Sequence, residues 1–162
     1  MKCVSGMAAR GLLLAFLVLG SRGFGVEWEP DKAYERLLAA RVFAFGGVGF
    51  AGTTTDGEKA FHVVLASTNR LELLKRVLKD GTREARMYAL CGLRKTAPEE
   101  FKVEAERIGS EKETVKMMSG CLMFQEPVSS VVERIRSGAY DGDVDRDQRR
   151  PGGWIIRETV RK

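Results

Sequence analysis

The sequence of 162 residues holds one histidine, three cysteines and no apolar run long enough to cross a bilayer. A spanning helix needs roughly 20 consecutive apolar residues, and the longest run, Leu12 to Leu19, falls far short of that. No permanent membrane span is therefore expected. With His62 as the only imidazole, a serine or cysteine nucleophile has one candidate base, and no Gly-x-Ser-x-Gly elbow is present to carry it. Metal-ligand spacing of Cys and His is missing as well. The sequence also lacks a block of one charge sign. Lys and Arg alternate with Glu and Asp, which describes solvated helix faces and not the clustered basic face of a nucleic-acid binder.

What is present begins with an export pattern. Lys2 and Arg10 precede the apolar run with no acid among them, and Gly20-Ser21-Arg22-Gly23-Phe24-Gly25 supplies small residues after it. That is the order of a cleavable secretory signal over residues 1–25, with cleavage after Gly23 or Gly25. Cys3 lies before the apolar run, so it is not placed to carry a lipid. Lys2, Arg10 and Arg22 would leave with the signal, so the 27 basic residues against 22 acidic ones become 24 against 22, a net charge near +2 instead of +5. The basicity of the chain resides largely in its signal. A secreted or periplasmic location follows as the expectation, and the remainder suits one domain able to bury its own core.

Apolar residues three and four apart mark the helices. Tyr34, Leu37, Leu38, Val42 and Phe45 share one face of a predicted helix over 31–45, with Arg41 out of place. Thr55-Asp56-Gly57-Glu58 matches a capping box, in which hydroxyl and carboxylate satisfy free amides at a helix start. The helix it opens runs to about Ala66 and buries Phe61, Val64 and Leu65. Leu71, Leu74, Val77 and Leu78 form a third stripe ending at Asp80-Gly81. Thr82 caps a fourth helix with Ala85, Tyr88, Ala89 and Leu93 inward. Pro98 suits the first turn of a fifth helix, with Phe101, Ala105 and Ile108 inside. Pro127 opens a last one carrying Val128, Val131, Val132 and Ile135.

Two stretches resist this reading. Residues 46–55 are too rich in glycine for a helix interior, and predict a tight turn built on Gly46, Gly47, Gly49 and Gly52, with positive φ at one or more of them and Phe45, Val48 and Phe50 anchoring it to the core. Residues 114–124 mix β-branched, Met and Cys residues and predict a short strand or packed loop. From Asp141 to Lys162 the chain turns polar and reads as a flexible tail, with Trp154-Ile155-Ile156 as the exception, suited to dock back through Trp154. The periodicity thus predicts a mainly α domain over 26–140, a compact bundle or layered helical hairpins of about five to six helices, with a glycine-rich turn and one irregular or short-strand segment.

Leu71 to Leu93 pairs a leucine-rich helix, an Asp80-Gly81 turn and an Ala-rich helix carrying Arg86, Ala89, Leu90 and Gly92. The segment resembles one HEAT-like unit, without a second copy at the roughly 40-residue period of a solenoid. That implies helix pairs packed in layers and no activity. Through Phe43 to Gly52 and Met118-Ser119-Gly120-Cys121 the whole chain also resembles a family of exported bacterial proteins, which implies export and assigns no chemistry.

Three motifs come close to chemistry and fall short. Gly47-Val48-Gly49-Phe50-Ala51-Gly52 spells the glycine pattern of a dinucleotide loop, but a predicted helix precedes it instead of a strand, so no cofactor is expected. Gly52 to Glu58 spaces glycines like a phosphate loop, with Glu58 where the lysine belongs. Asp141, Asp143, Asp145 and Asp147 alternate like a calcium loop, but Arg146 replaces the obligatory glycine and Gly152 the bidentate glutamate, so no metal is expected. His62, inside an apolar helix, reads as a satisfied ring. With Cys3 removed, Cys91 and Cys121 are the only pair left, and two cysteines in an oxidising compartment predict a disulfide. The function these observations favour is binding, of another protein or an envelope component. A hydrolase-like site around His62, drawing on Glu58, Ser119 or Cys121, is the alternative.

Overall fold

The computed structural model describes residues 29–145. The signal segment, Asp147, Gly152 and Trp154 lie outside the described residues. Among the described residues seven helices and one hairpin run in the order α1 (Pro30–Leu38), α2 (Asp56–Ala66), α3 (Arg70–Asp80), α4 (Arg83–Thr96), α5 (Pro98–Gly109), β1 (Thr114–Ser119), β2 (Leu122–Pro127), α6 (Val128–Arg136) and α7 (Asp141–Val144). The mainly α architecture is as the periodicity predicts, with slightly more helices than expected.

The axis of the body is α4. Ala85 and every residue from Met87 to Leu93 are buried, and a helix apolar on all sides belongs inside. It is packed by α2, α3, α5, α6, α7 and β1. Small residues allow that crowding: a Cβ on Gly92 would stand 2.8 Å from Leu74 Cδ1 and 3.2 Å from Phe61 Cε2. Around it, α5 buries Phe101, Ala105 and Ile108 and α6 buries Val128, Val131, Val132 and Ile135, the faces their spacing marks. Helices α3 and α4 pack on each other across Gly81 and Thr82.

Helix α1 ends at Leu38, seven residues before the periodicity would stop it. The physical reason is competition for its last carbonyls. The Thr82 amide donates to Leu38 O at 3.1 Å and the Thr82 hydroxyl donates to Ala40 O, so the N-cap of α4 also caps the end of α1. Thr82 Oγ1 in turn accepts from the Ala85 amide. Beyond Ala40 the chain is extended, and Phe43 bridges Met117 in parallel. Phe43, not Val42, is the buried residue, and Arg41 is exposed.

The stretch read as a short strand or packed loop is a hairpin. Its strands pair antiparallel from Thr114↔Pro127 to Ser119↔Leu122, and the loop is Gly120-Cys121 with Gly120 at φ 54°. Two-residue loops with a positive first φ match the twist of the flanking strands. Val115 and Met117 face the core, whereas β2 is exposed or half-buried along its length.

Residues 141–145, whose polarity reads as the start of the tail, belong to the body. Val144 is buried in the core. Asp141 takes two hydrogen bonds from the Arg94 guanidinium, at 3.0 and 3.1 Å, and Lys95 pairs with Asp145.

Candidate functional site

The chain from Phe43 to Thr55 has little helix or sheet of its own, so side chains must satisfy its backbone. Tyr88 does most of this. Its hydroxyl accepts from Ala44 N at 3.0 Å, donates to Ala44 O at 2.6 Å and lies 3.3 Å from Thr55 Oγ1. Its ring sits among Phe43, Phe45 and Phe61, with centroids 4.8, 5.3 and 5.6 Å away. Burial pushes the Tyr88 phenol well above its ordinary pKa, and the hydrogen bonds from Thr55 and Ala44 oppose the shift only in part.

Glu58 supplies the second pin. Thr55 Oγ1 accepts from the Glu58 amide at 3.1 Å, as a capping threonine should, but the Glu58 carboxylate takes the Gly46 amide at 3.0 Å. The residue that spells the capping box therefore holds the glycine turn, and is itself 94% buried, with 6% of its surface exposed. His62, one helical turn on, places Nε2 3.9 Å from Glu58 Oε1. Its ring lies against Phe45 and Phe61.

Pinned at Ala44 and Gly46, the turn projects outward. Val48 and Thr53 exchange both backbone hydrogen bonds at 3.0 Å around Gly49-Phe50-Ala51-Gly52. Gly46, Gly49 and Gly52 take φ of 80°, 71° and 58°. Val48 is also bridged in parallel to Gly120, and Gly49 N donates to Gly120 O at 2.7 Å. The tip of the glycine turn and the tip of the hairpin are thereby locked at one end of the molecule. Phe50 there is fully exposed, and Leu122 and Met123 are 73% and 60% exposed. This corrects the expectation that Phe50 anchors the turn: Val48 is buried and Phe45 half-buried against the core, and Phe50 is what the turn presents.

The glycines differ in what alanine would meet. At Gly49 a Cβ finds open space but an unfavourable φ; at Gly47 it would stand 2.7 Å from Gly52 O. Gly49→Ala is expected to cost about 1 kcal/mol, and Gly47→Ala more, because backbone must move. Urea midpoints of the two variants check the order, and equal, neutral values would mean that the turn is loose.

The two cysteines do not pair. Both are free thiols, which overturns the predicted disulfide. Cys91 is a core residue of α4, packed where a small apolar side chain fits, while Cys121 is exposed in the hairpin loop. Burial, and after it the Asp141 carboxylate, push the Cys91 thiol well above its ordinary value, opposite to the shift a reactive cysteine requires.

The residues named for hydrolase-like chemistry are spread over different settings. Glu58 and His62 stand together on α2, Ser119 and Cys121 are exposed at the hairpin tip, and an open groove of about 860 Å³ between α3, α4 and α5 is lined by none of them. That groove is spanned by the Lys75–Glu100 ion pair at 2.8 Å. Among the described residues no group of three or more His, Cys, Asp or Glu is arranged to hold a metal ion. Asp141, Asp143 and Asp145 fall in and beside α7, two of them paired with Arg94 and Lys95. No helix among the described residues is long and apolar enough to cross a membrane.

Compared with models of known protein families, with curated proteins and with solved structures, the chain matches none. The class is thus defined by its own geometry: a mainly helical body that holds a glycine turn and a hairpin tip side by side.

Proposed function

We propose that the protein is an exported binding module that engages another protein of the envelope through the end formed by the glycine turn and the hairpin tip. The observation that carries this reading is the exposure of Phe50, Leu122 and Met123 at one end, where the glycine turn is hydrogen-bonded to the hairpin tip. A fully exposed phenylalanine forgoes about 2–3 kcal/mol of burial, and here a turn with glycine at positive φ on both sides, Gly49 and Gly52, carries it outward. Apolar side chains gathered on a surface mark contact sites. The order of charge and apolar residues over 1–25 supports action outside the cytoplasm.

A photo-crosslinking amino acid in place of Phe50, introduced in the native host, tests the proposal. A discrete adduct should form from position 50, weaken when Leu122→Ser is added, and be missing when the same group replaces the exposed Glu106. Crosslinking no stronger from position 50 than from 106 would defeat it.

A further inference from the structure

We propose that β2 is the edge at which two copies of this chain pair, antiparallel about a two-fold axis at Phe124. This names an occupant for one side of the end described above and rests on that end being a contact surface.

The hydrogen-bond pattern fixes which groups are open. Phe43 N donates to Lys116 O at 2.8 Å, and Met118 N donates to Phe43 O at 3.3 Å. Lys116 and Met118 therefore turn their backbone groups toward residue 43, and Met117 turns its own toward β2. Because backbone groups alternate in direction along an antiparallel pair, Phe124, opposite Met117, bonds to β1. Val128 N to Glu113 O at 2.9 Å continues the same alternation one step past the strand ends. Met123 and Gln125 consequently point their N–H and C=O groups away from β1. Among the described residues nothing hydrogen-bonds to those four groups.

Exposed edges are ordinarily blunted by lysine, a bulge or an internal proline. The strand Leu122-Met123-Phe124-Gln125-Glu126-Pro127 has none of these; Pro127 is its last residue, where α6 begins. Its single ionised side chain, Glu126, is paired with Arg134 of its own copy. An axis at Phe124 sets Met123 against Gln125 of the second copy twice, so every open donor and acceptor is used. It sets Phe124 beside Phe124 and Leu122 beside Glu126, so no like charges meet. An axis at Met123 would instead pair each Gln125 with the turn residue Cys121, an axis at Gln125 would pair Met123 with Pro127, which has no N–H, and an axis at Glu126 would oppose two carboxylates. Strand pairing by a second copy is thus self-complementary in one register, as an isologous interface requires.

Sedimentation of the protein as its native host releases it, over a range from about 1 to 300 µM spanning ordinary transient dimers, should show a monomer–dimer equilibrium. Gln125→Pro, which removes an outward N–H that β1 does not use, should raise the dissociation constant about 30-fold by deleting two hydrogen bonds per dimer. Gln125→Thr, which keeps the N–H, should leave it within about threefold. Amide exchange gives the same answer without a variant: protection at Met123 and Gln125 should rise with protein concentration, while Phe124 stays protected at all of them. A monomer throughout with fast exchange at Met123 and Gln125, or a dimer indifferent to Gln125→Pro, would overturn the pairing. Either result leaves the adduct from position 50 standing or falling by itself, since an adduct with a second copy and one with another protein differ in mass.

Discussion

Tyr88→Ala is expected to destabilise the protein by about 3–5 kcal/mol, and Tyr88→Phe by about 1–3 kcal/mol. The alanine variant loses a fully buried ring whose edges are filled by Phe43, Phe45 and Phe61, and α4 is too closely packed for its neighbours to collapse into the space. The phenylalanine variant keeps the ring and isolates the hydroxyl. Without it Ala44 N and Ala44 O, both in a buried setting, lose their partner, and an unsatisfied buried amide costs more than the bond contributed. Against the 5–15 kcal/mol of a typical domain, the first variant should be close to unfolding at ambient temperature. Urea denaturation followed by circular dichroism measures both. A phenylalanine variant within about 0.3 kcal/mol of the parent would mean that the segment after α1 is held by something other than Tyr88.

The same segment shows where sequence reading stops. Helices α5 and α6 are legible because one stripe of each packs and the opposite face meets solvent, so periodicity and burial agree; in α3 the stripe holds at Leu74, Val77 and Leu78, but Leu73 is buried and Leu71 only half-buried. Val42 and Phe45 satisfy a helical stripe just as well, yet they lie in extended chain, because Thr82, more than 40 residues away, takes the α1 carbonyls and Lys116 and Met118 take the backbone of Phe43. No local pattern records such partners. Glu58 illustrates the reverse: the capping-box spelling correctly places the helix start at Asp56, but the carboxylate turns to Gly46. Of the candidate site, the glycines of the turn were readable from composition alone. The exposure of Phe50 was not, although a side chain carried between Gly49 and Gly52 at the tip of a turn closed by the single Val48–Thr53 bridge has no core within reach. Cysteine arithmetic fails for a comparable reason, since Cys91 is also the small apolar residue that a crowded helix needs.

Alkaline pH should unfold this protein earlier than its balanced charge suggests. Cys91 and Tyr88 both have folded-state pKa values raised by burial, while in the unfolded chain they titrate near 8.5 and 10. A raised pKa means that the folded state holds its proton where the unfolded state has released it. The unfolded state then binds fewer protons, and stability falls as pH rises. The contribution is present in full below the unfolded pKa and is lost between the unfolded and folded values. Stability should therefore be flat from pH 7 to 8, decline from about pH 8.5 as Cys91 comes into play, and decline more steeply above about pH 10 as Tyr88 joins, at no more than about 1.4 kcal/mol per pH unit for each group. The two losses add, so the decline above about pH 10 should be steeper than the decline below it. Denaturant midpoints of parent and Cys91→Ala across pH 7–11 separate the two groups. The variant starts lower, because a buried side chain has been trimmed, but its stability should hold level to about pH 10 before Tyr88 brings it down. If parent and variant lose stability in parallel from pH 8.5 onward, the thiol is not the group that responds, and the decline belongs to exposed charges acting on the body as a whole.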